Sequence, residues 1–368
     1  MKISNEKLLN KLKQLPQIPL HIHWDGSIPS KDMFELSIKN NKRLLYPEKD
    51  RLGNKINYSC DKDRIIDTQE KLSEFVMQLD KYHIVDVFSI PVSLMQTKEN
   101  LFKMAYAHAL YLKNNNTPYA ETRFAPQYHT FEGLSVNQVI GYTLEGFKIA
   151  SKETGVDIRM IISLGRESDP VTTFNIVKEV LKFKDDPYLV GIDLATEERG
   201  NPPEKHIKAF ALTFDTDLKR TVHAGEMCST EENLKNIYTS ITDLKANALG
   251  HAIPLYNRFY NGHDLFQLIR ENNIRIEANP ISNHFLFDYS LDYHRFDILK
   301  ENDIKYTFNP DDPAMWPYGD LIYTYYFMYE KYGPDVLRQG LINAVDTAFA
   351  MPDRLGKNIL NKINGFDF

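Results

Sequence analysis

Short apolar runs alternate with helix-period segments eight times along this chain of 368 residues, and that alternation constrains its fold more than any other feature. The runs predict strands at about 18–24, Tyr119–Phe124, Asp157–Ser163, Leu189–Ala195, Arg220–His223, Asn247–Gly250, Ile274–Ala278 and Ile304–Phe308. Between them the pattern predicts helices over Val136–Thr154, Pro170–Phe183, Pro203–Asp215, from about Thr230, and over His263–Asn272. A turn with a short helix follows the seventh run, and helices resume from about Asp320. Alternating β and α elements favour a parallel sheet, and eight such units favour an α/β fold of the closed (β/α)8 kind, the TIM barrel. An open doubly wound sheet is the competing arrangement. The chain exceeds the ~250 residues typical of such a barrel. The excess lies between the first two strands, where residues 28–117 read as a helical insertion with helices at Lys31–Asn40, Asp67–Tyr82 and Lys98–Asn114. Leucines 8, 9, 12 and 15 predict a further short helix over 4–15 that closes the barrel floor. One domain spanning 1–368 is the expectation.

In such a barrel the chemistry sits at the C-terminal strand ends, and the titratable residues collect there. Strand 1 ends in His21, His23 and Asp25, strand 4 in Thr196-Glu197-Glu198 and strand 5 in His223-Ala224-Gly225-Glu226. Strand 6 ends in Gly250-His251 and strand 8 in Asn309-Pro310-Asp311-Asp312-Pro313. Successive strand side chains alternate faces, so His21 and His23 share one, roughly 6–7 Å apart. His21, His23 and His223 supply three nitrogens and Asp311 one oxygen, which suits zinc with a position left for water. Zinc brings that water's ionisation near neutral pH. Glu226, three residues beyond His223, is placed to serve the same centre as a proton donor. Asp311 and Asp312 divide the labour, one toward metal and one toward substrate.

Composition excludes several other classes. A net charge of −6 and a pI near 6.0 provide no basic field for nucleic acid or anionic lipid. Cys60 and Cys228 are the only cysteines, which is no disulfide framework and suits a reducing cytosol. The first residues, MKISNEKLLNKLKQL, are broken by charge and do not read as a signal peptide, and no apolar run is long enough to span a membrane. A cytoplasmic location is expected, with a monomer favoured.

The motifs taken together resemble the adenosine deaminase family of the amidohydrolase superfamily over about 16–350. The matching segments are His21-Ile22-His23 with Asp25-Gly26-Ser27, Tyr119-Ala120-Glu121-Thr122-Arg123-Phe124-Ala125-Pro126, and Gly191-Ile192-Asp193-Leu194-Ala195 followed by Glu198. His223-Ala224-Gly225-Glu226, Gly250-His251, Asn279-Pro280-Ile281-Ser282-Asn283 and Asp311-Asp312-Pro313 complete the set. The resemblance implies hydrolytic deamination of adenosine, and of 2′-deoxyadenosine, to inosine and ammonia in purine salvage, with one zinc ion per chain on His21, His23, His223 and Asp311. It implies that Glu226 protonates purine N1 and that His251 orients the attacking water and assists its deprotonation. Asp312 would hydrogen-bond N7, Asp25 the ribose 5′-hydroxyl, and the backbone N–H of Thr196 would reach N3. The N1 role requires Glu226 to be protonated, and burial in a closed pocket raises a carboxyl in that direction.

Five positions depart from the family pattern. Thr196 stands where Gly is usual, Ala248 and Ala252 flank His251 without the common Arg and second Gly, Trp24 replaces a smaller residue beside the ribose end, and Pro310 precedes the aspartates. They leave the preferred purine open: an adenine deaminase, a deaminase of N6-modified purine nucleosides and a catalytically silent barrel that binds ligand are the alternatives. Base-specific relatives typically carry Glu where this chain has Asp25, and the shorter acid leaves room for a ribose. The His-x-Glu and Pro-Cys-x-x-Cys pattern of cytidine deaminases is absent.

Overall fold

The computed structural model describes residues 1–368. Eight strands form one parallel sheet in chain order: β1 (Ile22–His23), β2 (Tyr119–Phe124), β3 (Asp157–Gly165), β4 (Leu189–Ala195), β5 (Lys219–Ala224), β6 (Ala248–His251), β7 (Arg275–Ala278) and β8 (Tyr306–Phe308). The eighth strand returns to the first. His23 N–H donates to the Asp311 carbonyl (2.9 Å) and Asp311 N–H to that of His21 (3.2 Å). The Asn309 side chain adds a second tie, accepting the N–H groups of Leu20 (2.8 Å) and His21 (3.1 Å). The sheet therefore closes into a barrel, and the closing bonds are made by the residues of the strand-1 and strand-8 motifs.

Every residue of β2 and of β4 is buried, as expected of strands covered on both faces. The covering helices include α1 (Glu6–Leu12), then α2 (Ser30–Lys39), α3 (Gln69–Val76), α4 (Ile84–Leu94) and α5 (Lys98–Asn114), the last four inserted between β1 and β2. After β2 comes α6 (Val136–Thr154), opened by a Ser135–Gln138 capping box and stopped at Gly155 in the left-handed conformation. Helix α1 packs on the helix Leu321–Tyr332, and its cap region bonds the Tyr326 hydroxyl.

Three stretches differ from the periodicity reading. The helix expected over Asp67–Tyr82 stops at Val76, and α4, which was not anticipated, follows it with Pro91 inside. Proline removes a backbone donor and normally ends a helix pattern; here the buried face of Val87, Ile90 and Leu94 holds the helix together through it. Pro203–Asp215 splits into a 3-10 turn and a five-residue helix, and His263–Asp264 pairs with Phe259–Tyr260 instead of starting a helix. No helix is long and apolar enough to cross a membrane.

Candidate metal centre at the strand ends

His21, immediately before β1, and His23, within it, turn toward the barrel axis with ring centroids 5.4 Å apart. His223, at the end of β5, meets them there: its Nε2 lies 3.2 Å from His23 Nε2. Asp311 closes the set, with Oδ1 3.0 Å from His21 Nε2 and 3.3 Å from His23 Nε2. The four ligand atoms all lie within 4.8 Å of one another.

The second nitrogen of two of these rings is already spent. His21 Nδ1–H donates to Glu277 Oε2 (2.9 Å) and His223 Nδ1–H to Asp193 Oδ1 (3.0 Å), which turns both Nε2 atoms inward. The tautomers follow from these partners, because an ionised carboxylate only accepts. Ser282 Oγ donates to Asp311 Oδ2 (2.6 Å). His21 Nε2 and Asp311 Oδ1 are left buried, close and without a hydrogen bond. Two inward lone pairs at that separation call for a cation between them. The charge balance agrees. Burial alone would lower the imidazole pKa of His23, yet the carboxylates of Asp312 and Asp311 outweigh it and push it up to about 9. Three nitrogens and one carboxylate oxygen thus fit a divalent ion of the zinc type.

A buried ion network underlies these ligands. Glu277, fully buried, accepts Arg123 Nη2 (2.8 Å), Arg275 Nη2 (2.7 Å) and Thr221 Oγ1 (3.0 Å) besides His21. Burial would raise the Glu277 carboxyl, but Arg123 and Arg275 hold it well below the usual range. Asp193 is likewise held low against burial by His223 and Arg123. Neither acid was assigned a role from the sequence. The available signal was a charged residue inside an otherwise buried strand, which must be paired.

Beside the cluster stand Glu226, His251 and Asp312. Glu226 is buried, and desolvation, reinforced by the charges of Asp311 and Glu198, raises its carboxyl well above the ordinary range. Its turn is built by Glu198, which accepts the backbone N–H groups of Gly225 (3.0 Å), Glu226 (2.9 Å) and Met227 (3.1 Å) and the Asn236 amide (2.9 Å). His251 Nδ1–H donates to Asn283 Oδ1 (2.8 Å), and Asn279 Nδ2 approaches Nε2 (3.3 Å), so Nε2 carries the lone pair. Burial lowers this imidazole to about 4, and its Nε2 faces Glu226 Oε1 at 3.5 Å and Asp311 Oδ2 at 3.9 Å. Asp312 is raised well above its usual value by burial, then by Asp311. It nests on Gly26, where any Cβ would overlap Asp312 Oδ1 and lie 2.6 Å from its Cγ. Asp25 is buried, with Oδ2 4.0 Å from His129 Nε2.

The departures from pattern have distinct consequences. Thr196, His251, Ala252 and Asp311 all adopt positive φ (79°, 64°, 46° and 60°). Such non-glycine residues cost roughly 1–3 kcal/mol each and persist where the surroundings over-determine them. Ala252 thus takes a left-handed conformation that the absent glycine would have adopted freely. Trp24 does not stand beside the ribose end as expected. It points out of the barrel, fully buried, with its indole N–H on the Met104 carbonyl (3.2 Å) and its ring against Phe124 (5.1 Å) and Phe147 (5.2 Å). The reason is the alternation that aims His23 inward.

The adenosine deaminase family model matches residues 16–365. An adenosine deaminase from Clostridium botulinum (strain Kyoto, type A2) is 34% identical over 302 residues, 82% of this chain and 82% of that protein. Among solved structures, an adenine deaminase from Arthrobacter aurescens superposes with a TM-score of 0.75 at 19% identity, covering 95% of this chain and 98% of that one. The N6-methyl-AMP deaminase of Arabidopsis thaliana does so with 0.75 at 19%, covering 97% and 98%. At such identities the structural likeness speaks for the barrel fold.

Proposed function

The chain belongs to the adenosine deaminase family, and from that premise we propose that it hydrolytically deaminates adenosine, and 2′-deoxyadenosine with it, to inosine plus ammonia. The observation that carries this reading is a four-donor cluster within 4.8 Å, with a buried Glu226 whose carboxyl burial pushes well above the ordinary range and a buried His251 lowered to about 4 at its edge. In this reading His21, His23, His223 and Asp311 would hold one zinc ion per chain, which would supply Lewis-acid activation of water near neutral pH. Glu226 donates its proton to purine N1. Attack at C6 breaks ring aromaticity and puts charge on N1, so this bond strengthens in the transition state and lowers the barrier. His251 Nε2, unprotonated and anchored through Nδ1 to Asn283, accepts the proton released by the attacking water. Asp312, protonated, donates to N7. The Thr196 backbone N–H donates to N3, and Asp25 accepts the ribose 5′-hydroxyl.

The direct test is metal analysis of the purified protein together with the fall in ultraviolet absorbance of the adenine ring on adding adenosine. The expected result is one zinc per chain and rapid turnover of adenosine, with adenine and AMP as poor substrates. Turnover of adenine or AMP without adenosine overturns the reading.

A further inference from the structure

At the ends of β2, β3 and β4 lies a polar arrangement that the proposed chemistry does not use. Tyr128 O–H donates to one oxygen of Glu167 and Thr196 O–H to the other. Gly165, the last residue of β3, makes the room: a Cβ there would fall on Tyr128 Oη and 2.6 Å from Glu167 Oε1. Beside them, both amide atoms of Gln127 are buried against Tyr128.

The arrangement is continuous with both proposed sugar-side contacts. Thr196, whose backbone N–H is assigned to N3, touches Glu167, and Glu167 is held by Tyr128. The next residue, His129, stands 4.0 Å from Asp25, assigned to the 5′-hydroxyl. A ribose held at its base by Thr196 and at its 5′ end by Asp25 runs along this arc. Its 2′- and 3′-hydroxyls are a pair of adjacent donors. A carboxylate has about four lone-pair sites, and Tyr128 and Thr196 use two, so Glu167 keeps one acceptor site on each oxygen. Two donors fix its orientation beforehand, which lowers the ordering cost of binding.

We propose that Glu167, pinned by Tyr128 and Thr196, binds the ribose 2′,3′-diol and makes the site prefer adenosine, with 2′-deoxyadenosine still turned over but at a lower kcat/KM. The proposal rests on the nucleoside reading above. It also accounts for the threonine at 196: its hydroxyl positions Glu167, and that bond helps hold a backbone conformation that disfavours a β-branched side chain. The Thr196 hydroxyl is thus a positioning group, while its backbone N–H keeps its contact with N3, and Glu167 is the residue that touches the diol.

The test measures kcat/KM for adenosine, 2′-deoxyadenosine and 2′,3′-dideoxyadenosine with the wild type, Glu167→Ala and Tyr128→Phe, with zinc content as a check on folding. The wild type is expected to prefer the substrates in that order. Glu167→Ala should lose about 10- to 100-fold on adenosine while the dideoxy rate changes less than about threefold, as for a lost charged hydrogen bond. Tyr128→Phe should compress the same ratio by a smaller factor. A wild type that does not discriminate, or variants that lose all three substrates equally, overturns the Glu167 assignment alone. A zinc-loaded wild type inactive on all three overturns the nucleoside reading and this assignment with it.

Discussion

Glu277→Gln tests whether the metal centre depends on the ion network beneath it. The fully buried Glu277 carboxylate collects five donors: His21, Arg123 and Thr221 on Oε2, and two nitrogens of Arg275 on Oε1. Glutamine keeps the shape but turns one oxygen into a donor. Whichever way the amide lies, either the Arg275 pair or the trio containing His21 then faces N–H instead of an acceptor. Removing one partner of a buried charge pair costs about 3–5 kcal/mol. At about 2.1 cal/mol/K of unfolding entropy per residue, 368 residues amount to roughly 0.8 kcal/mol/K, so Tm should fall roughly 4–7 °C. His21 also loses the acceptor that fixes its tautomer, and zinc affinity should drop about 10- to 100-fold. Calorimetry on the chelator-stripped protein reads the first effect, and titration against a competing chelator reads the second. The pH dependence has a definite sign. Because the folded carboxyl is held well below its ordinary value, its stabilisation is fully present above the unfolded pKa and is lost as pH falls through the folded one. The gap in Tm between wild type and variant should therefore be constant above about pH 5 and shrink below about pH 4. An unchanged Tm together with unchanged zinc affinity would refute the reasoning.

Four further outcomes follow from the site. Glu226→Gln keeps the hydrogen-bonding shape but cannot pass the proton, so kcat should fall at least about 10²-fold with zinc retained; near-normal turnover removes it from the proton-donor role. Asp311→Ala should lower zinc occupancy and activity together, and a variant with full zinc shows that the carboxylate is not a ligand. Asp25→Ala should cost roughly 1–3 kcal/mol in kcat/KM on adenosine and much less on 5′-deoxyadenosine, which lacks the hydroxyl. Equal losses on both would make Asp25 a structural residue. In the native protein, AMP should be turned over poorly, because its phosphate meets this carboxylate.

Much of this molecule follows from local rules. Side-chain alternation along β1 places His21 and His23 on one face, and the alternation of strand and helix patterns implies the parallel barrel whose strand ends collect His223, Glu226, His251, Asp311 and Asp312. Those residues were legible because each sits where periodicity changes from strand to loop. What the local pattern does not contain is the pairing between strands. Glu277 serves His21 across 256 residues and Asp193 serves His223 across 30, through contacts set by the order in which the strands close the barrel. In the sequence each acid is visible only as a charge in an apolar run, and burial says that it must be paired without saying with what. Glu198 is likewise an acid in a polar turn until the fold brings the N–H groups of 225–227 onto it. Trp24 fell on the wrong side in the sequence reading, although the alternation that aims His23 inward also aims Trp24 outward. Thr196 looked like added bulk, and only the tertiary structure turns its hydroxyl onto Glu167. Which residues gather at the strand ends is thus written in spacing and residue type, whereas which of them hold one another in place is decided by contacts between distant segments, where the low dielectric of the interior makes every unpaired charge costly.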